Sequence, residues 1–186
     1  MTVLLASRNP NKLRELSRLL PEWELEPLEV DSYPPETGES YYQNARAKAL
    51  LGPADAWRLG EDSGLEVKAL GGRPGIRSAR YAAEGGEANK KLLGELDGVE
   101  DRAARYVCEL VLAGPGGREL RGTGVLEGRI ADEPHGSEGF GYDPVFVPEG
   151  EERTVAELGN DWKSRNSHRS RAAHALSGQA RGLLGD

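Results

Sequence analysis

Apolar and polar positions sort the chain into strands and helices. Thr2–Ala6 is a short apolar run with the length of a buried strand. Asn9 then stands at a good N-cap position with Pro10 at N1. Leu13, Leu16 and Leu20 recur on one helical face until Pro21 stops it. Strand, short polar loop and helix in this order open an α/β fold. Residues 23–30 predict a second strand, and Pro34-Pro35-Glu36-Thr37-Gly38-Glu39 a loop. Ser40 with Gln43 forms a capping box for a helix running to about Leu51. A strand near Ala56–Gly60 leads into the adjacent acids Glu61 and Asp62, where Asp-Ser-Gly is ordinary turn chemistry. Gly71–Gly75 reads as a further loop and Glu87–Leu96 as a helix. Arg105–Leu112 and Glu119–Ile130 form a strand pair joined by Gly114-Pro115-Gly116-Gly117, a hairpin signal. Val145–Val147 is a short strand. A last helix opening near Ser167 places Ala173, Leu176, Ala180 and Leu183 on one face. The pattern predicts one mixed α/β domain, residues 1–186, built around a sheet with long loops at several strand ends.

Composition narrows the function classes. With 37% hydrophobic and 30% charged residues, the 186-residue chain suits a globular protein and not a disordered one. No apolar run approaches the roughly 20 residues needed to span a bilayer. The N-terminal apolar run is too short, and lacks the basic flank, for a signal peptide, so a cytoplasmic location with no membrane partner is expected. The single cysteine, Cys108, excludes an internal disulfide and reads as a small core residue. A formal charge of −7 argues against a nucleic acid polymer as partner. A small anion needs only a local basic pocket. Trp162–Arg171 holds four of the 24 Lys and Arg residues, one histidine and no acid.

Four loops carry candidate chemistry. Leu4–Lys12 feeds a helix N-terminus, whose N–H groups and dipole favour anions. Lys12 in that first turn opposes the dipole unless a phosphate is bound; the alternative is a solvated lysine. Glu36 and Asp62 could supply hard oxygen ligands to Mg²⁺, with water and phosphate completing the octahedron. Glu61 and Asp62, in an extended segment, point to opposite faces, so one acid works in the pocket while the other makes a structural bond. Phe140, between Gly139 and Gly141, offers a ring face for a nucleobase, and Asp143 an acceptor for a base edge; alternatively Phe140 and Tyr142 cap the core. His168 and Arg169 fall in the first turn of the last helix, beside an acceptor-rich ligand or simply solvated. Together these loops suggest a nucleoside polyphosphate held by cations, a carboxylate-bound metal and an aromatic platform.

The motifs ASRNPNK, ETGES…NARAKA, EDSGLEV…LGGRPGIRSARY, GFGYDPVF and KSRNSHR resemble, in order and spacing, the inosine/xanthosine triphosphate pyrophosphatases. The resemblance runs from residue 3 to about 180. It implies a two-lobed α/β fold with an elongated mixed sheet flanked by helices, a nucleotide cleft between the lobes, and a homodimer. It also implies hydrolysis of the non-canonical purine triphosphates ITP, dITP and XTP to monophosphate and pyrophosphate, with Mg²⁺ or Mn²⁺ as cofactor. By the same resemblance Asp62 is catalytic base and metal ligand, and Glu36 the second metal carboxylate. Ser7, Arg8, Asn9, Lys12, Lys48 and Ser63 match phosphate-side positions. Phe140, Gly141, Tyr142, Asp143, Lys163, His168 and Arg169 match positions around base and sugar. Arg8 replaces a glycine common in the family; it either adds a cation toward the phosphates or points outward, and its lack of access to positive φ puts that backbone conformation in question. A pyrophosphatase for modified or pyrimidine triphosphates and a catalytically silent nucleotide-binding module are the other readings.

Overall fold

The computed structural model describes residues 1–33, 35–82 and 85–184; Pro34 of the expected loop and the side chain of Leu183 fall outside that description. Strands β1 (Thr2–Ala6), β2 (Glu24–Pro27), β3 (Arg58–Val67), β4 (Ala103–Ala113), β5 (Glu119–Ile130) and β6 (Phe146–Pro148) form one open, mixed sheet in the order β2-β1-β3-β4-β5-β6. β1 runs parallel to β2 and β3, and β6 antiparallel to β5. The helices are α1 (Pro10–Leu19), α2 (Tyr41–Ala49), α3 (Gly85–Glu95), α4 (Val155–Asn166) and α5 (His168–Leu184). No described helix is long and apolar enough to cross a membrane.

The chain divides into two compact units. The first comprises Met1–Asp62, Cys108–Gly124 and the chain from His168 onward. Its core joins Val3 and Leu5, Leu16 and Leu20 of α1, Leu59, Leu110, and Ala173, Leu176 and Ala180 of α5. The second comprises Ser63–Val107 and Val125–Ser167. Leu65, Leu92, Leu96, Ile130 and Phe146 fill its core, with the rings of Tyr106 and Phe146 4.6 Å apart at 52°.

Two elements depart from expectation. Glu61-Asp62-Ser63-Gly64 is not a turn: β3 runs straight through it, because sheet pairing and neutralising partners outweigh local turn preference. The segment before the last helix is itself helical. Thr154 and Glu157 make a complete reciprocal capping box that opens α4. At Gly60 the sheet meets α2 so closely that an added Cβ would lie 1.9 Å from the Ala45 carbonyl oxygen. Glycine there lets β3 run close enough for Asp62 to lie against α2.

Candidate active site

Extended backbone at residues 61 and 62 sends the two acids to opposite faces of β3, and their partners differ accordingly. The Glu61 side chain is fully buried, with Oε2 2.5 Å from Lys12 Nζ and Oε1 2.8 Å from Arg169 Nη2. The Cys108 thiol also donates to Oε1, at 3.7 Å. Burial alone would raise the Glu61 pKa, but Lys12 and Arg169 overcome it and hold the carboxyl well below its usual range. Arg169 reaches on to Glu15, at 2.5 Å. Burial opposes its charge, yet Glu61 and Glu15 drive its pKa upward. Cys108 is pushed well up by burial and by Glu61, which leaves a core thiol and no nucleophile.

Asp62 faces α2. Its Oδ2 accepts from Asn44 Nδ2 at 3.1 Å and its Oδ1 from Lys48 Nζ at 3.1 Å. Lys48 also donates to the Glu61 carbonyl at 3.0 Å and pairs with Glu36 Oε1. One ammonium therefore joins the two carboxylates expected to share a metal. Burial raises the Asp62 pKa; Lys48 opposes the rise while Glu61 and Glu36 add to it. Asn44 and Lys48 lie four residues apart on one helical face. That spacing is the signal for Asn44, which opens the NARAKA motif but carries no assigned role in the sequence analysis. Asn44 Oδ1 also accepts from Gly38 N at 2.9 Å, tying down the end of the Glu36 segment. Ser40 caps α2 through Gln43 N, whereas Gln43 Oε1 turns to Glu39 N, one residue before the expected Ser40.

Two carboxylates that converge on one cation are hard oxygen donors suited to a divalent ion. No group of three His, Cys, Asp or Glu occurs among the described residues that could hold a metal, so such an ion would draw its other ligands from water and substrate.

The loop into α1 is ordered by its own polar groups. Asn9 Oδ1 accepts from Asn11 N at 3.0 Å, and Ser7 Oγ from Asn9 N at 3.2 Å. The first turn of α1 carries no acid. Arg8 needs no left-handed backbone, since no described non-glycine residue has positive φ. Its guanidinium donates to the Asp31 carbonyl at 3.3 Å and lies over the Tyr33 ring. Ser63, half-buried, follows Asp62 in β3.

In the second unit the Phe140 loop is built around Asp143. The buried carboxylate accepts from Phe140 N at 2.7 Å, Lys163 Nζ at 2.6 Å and Tyr106 Oη at 3.3 Å. These bonds fix the loop. Lys163 Nζ sits 4.1 Å from the Phe140 ring centroid, a cation–π contact. Tyr142 turns inward and donates to the Ser78 carbonyl at 2.9 Å, capping the core, and burial raises its pKa. The Gly141 carbonyl accepts from Asn89 Nδ2 at 3.0 Å. Lys163 owes its place to a break in α4 at Gly159, whose φ of 84° and ψ of 173° suit glycine. Glu138 accepts from the Asn160 amide freed there, at 2.9 Å. His168 and Arg169 open α5 in the first unit, both buried, and Arg169 is committed to acids, not to solvent.

Comparison with known proteins places this geometry among relatives. The model of the Ham1 family matches residues 3–179. A dITP/XTP pyrophosphatase of Gloeobacter violaceus is 43% identical over 187 residues, covering 98% of this chain and 96% of the relative. One from Bacillus licheniformis is 42% identical over 189 residues, covering 94% and 95%. Among solved structures, the Ham1 protein of Staphylococcus aureus superposes with a TM-score of 0.88 at 34% identity, over 98% of this chain and 100% of that one. A HAM1 protein from Coxiella burnetii gives 0.81 at 35% identity, over 100% and 98%.

Proposed function

The chain belongs to the Ham1 family, and on that premise we propose that it hydrolyses the non-canonical purine triphosphates ITP, dITP and XTP to monophosphate and pyrophosphate. The observation that carries the proposal is the convergence of Glu36 and Asp62 on one cation, Lys48. Water attacks the α-phosphorus, the bond from that phosphorus to the bridging oxygen breaks, and pyrophosphate leaves with the electron pair. Glu36 and Asp62 would hold a divalent ion, Mg²⁺ or Mn²⁺, which when bound supplies Lewis-acid assistance and neutralises phosphate charge.

Asp62 orients the attacking water and accepts its proton. Lys12 and Lys48 meet the charge that grows on the leaving group. Ser7, Asn9, Ser63 and the N-terminus of α1 offer donors to phosphate oxygens. Glu61 contributes by holding Lys12 in place. Phe140 stacks on the base, and Lys163 donates to its 6-oxo group, with His168 assigned to the base and sugar. Adenine carries an amino group at position 6, and each buried donor left unpaired costs about 1–3 kcal/mol. The same reading takes the enzyme to be a homodimer acting on the cytoplasmic nucleotide pool, and sedimentation velocity checks the dimer.

Incubation with ITP, XTP, GTP, dTTP and ATP plus Mg²⁺ tests the proposal. Pyrophosphate appearing first from ITP or XTP supports it. Orthophosphate would mark a phosphatase, a preference for dTTP a different pyrophosphatase, and no product a binding module; each would overturn it.

A further inference from the structure

The segment between β2 and α2, which carries Glu36, has no helix or strand among its described residues. It is anchored at both ends. The Leu28 amide donates to Leu5 O at 2.8 Å, while Gly38 N and Glu39 N donate to side chains of α2. Between these anchors a cavity of about 410 Å³, lined by Ser7, Arg8, Asn9, Pro27, Leu28 and Tyr33 among others, lies beside the β1–α1 loop. Arg8 bridges to the segment. Its Nη2 donates to Asp31 O at 3.3 Å, and its guanidinium carbon is 5.0 Å from the Tyr33 ring centroid. Tyr33 Oη in turn donates to Leu28 O at 3.1 Å. The bridge couples the loop of Ser7, Asn9 and Lys12 to the segment that delivers Glu36.

We propose that Arg8 is a positioning residue that clamps the Glu36 segment through Asp31 and Tyr33 and so holds Glu36 ready for the divalent ion. The inference rests on the metal-ligand reading of Glu36. Without the clamp the segment samples positions in which Glu36 is withdrawn, and apparent metal affinity falls by the fraction of molecules still competent.

The test compares Arg8→Ala, Arg8→Lys, Tyr33→Leu and the Arg8→Ala/Tyr33→Leu double variant with the parent protein. Three readouts are used: amide exchange of residues 30–33 in metal-free protein, Mn²⁺ binding by EPR, and the KM for ITP at saturating metal. Arg8→Ala is expected to speed exchange and weaken Mn²⁺ binding by about threefold to tenfold each, the scale of a single exposed cation–π contact or hydrogen bond. Tyr33→Leu should match it, the double variant should be no worse than either, and Arg8→Lys should recover part. Faster exchange with unchanged Mn²⁺ binding would overturn the proposal. So would multiplying effects in the double variant, or a change in the KM for ITP alone, which would make Arg8 a phosphate contact. If the parent protein releases no pyrophosphate from ITP, the functional reading falls while exchange and Mn²⁺ binding still decide the clamp.

Discussion

Replacing Glu61 with Gln removes one negative charge from between two cations while keeping the shape of the side chain. The carboxylate is fully buried, 2.5 Å from Lys12 and 2.8 Å from Arg169. Breaking a buried ion pair on one side costs about 3–5 kcal/mol, since the remaining charge stays desolvated. Two features of this cluster place the loss near the lower end. Arg169 keeps Glu15 at 2.5 Å, and the Lys12 side chain, 15% exposed, can turn toward water. The expected loss is therefore about 3 kcal/mol. In urea at pH 7 that is a midpoint shift of about 1.5 M if m is about 2 kcal/mol/M. Glu66→Gln, which breaks the more exposed pair with Arg105, is the control and should cost no more than about 1 kcal/mol. A loss below about 1 kcal/mol for Glu61→Gln, with m unchanged, would refute the account of Glu61 as the anchor of this cluster.

The other predictions are more direct. Asp62→Asn should lose most turnover with ITP while retaining nucleotide binding by calorimetry; unchanged turnover would sink the assignment of Asp62. Phe140→Ala should weaken binding of the monophosphate product by about 1–3 kcal/mol, the worth of one stacked base, and an unaltered Kd would remove Phe140 from the base site. Gly60→Ala should destabilise by more than about 3 kcal/mol or prevent folding, because the new methyl meets α2 backbone; a soluble variant with parental Tm would contradict that contact. For pH, the folded Glu61 pKa lies below its unfolded value of about 4.3, so the unfolded chain takes up the proton first on acidification. The stabilisation is complete above that value and drains away as pH falls through the folded one. Glu61→Gln, studied metal-free, should show a flatter loss of stability below about pH 4.

Local rules made much of the molecule legible in the sequence. Asn9 and Pro10 announced α1, Ser40 announced α2, the apolar runs of β1 and β4 marked strands, and Gly114–Gly117 marked the turn between β4 and β5. Failures came where tertiary partners override local preference. Asp62-Ser63-Gly64 carries turn residues, but Lys48, Lys12 and Arg169 neutralise the two acids, Asn44 donates to Asp62, and the strand continues. The opposite facing of Glu61 and Asp62 follows from strand geometry alone; which acid meets which cation depends on α1, α2 and α5 and was not readable. Asp143 shows the same limit. Its meeting with Phe140 N, Tyr106 and Lys163 depends on the packing of β4, α4 and its own loop, which the local residues do not specify. By contrast, the Thr154–Glu157 box of α4 is legible in the residues themselves.

Side-chain alternation along β3 turns the neighbouring acids into a parity device. Inserting one residue between Leu59 and Glu61 would carry Glu61 into the place that faces Lys48 and Asn44, and deleting Gly60 would carry Asp62 into the place that faces Lys12 and Arg169. A change of length in that stretch therefore costs at least one acid its partners.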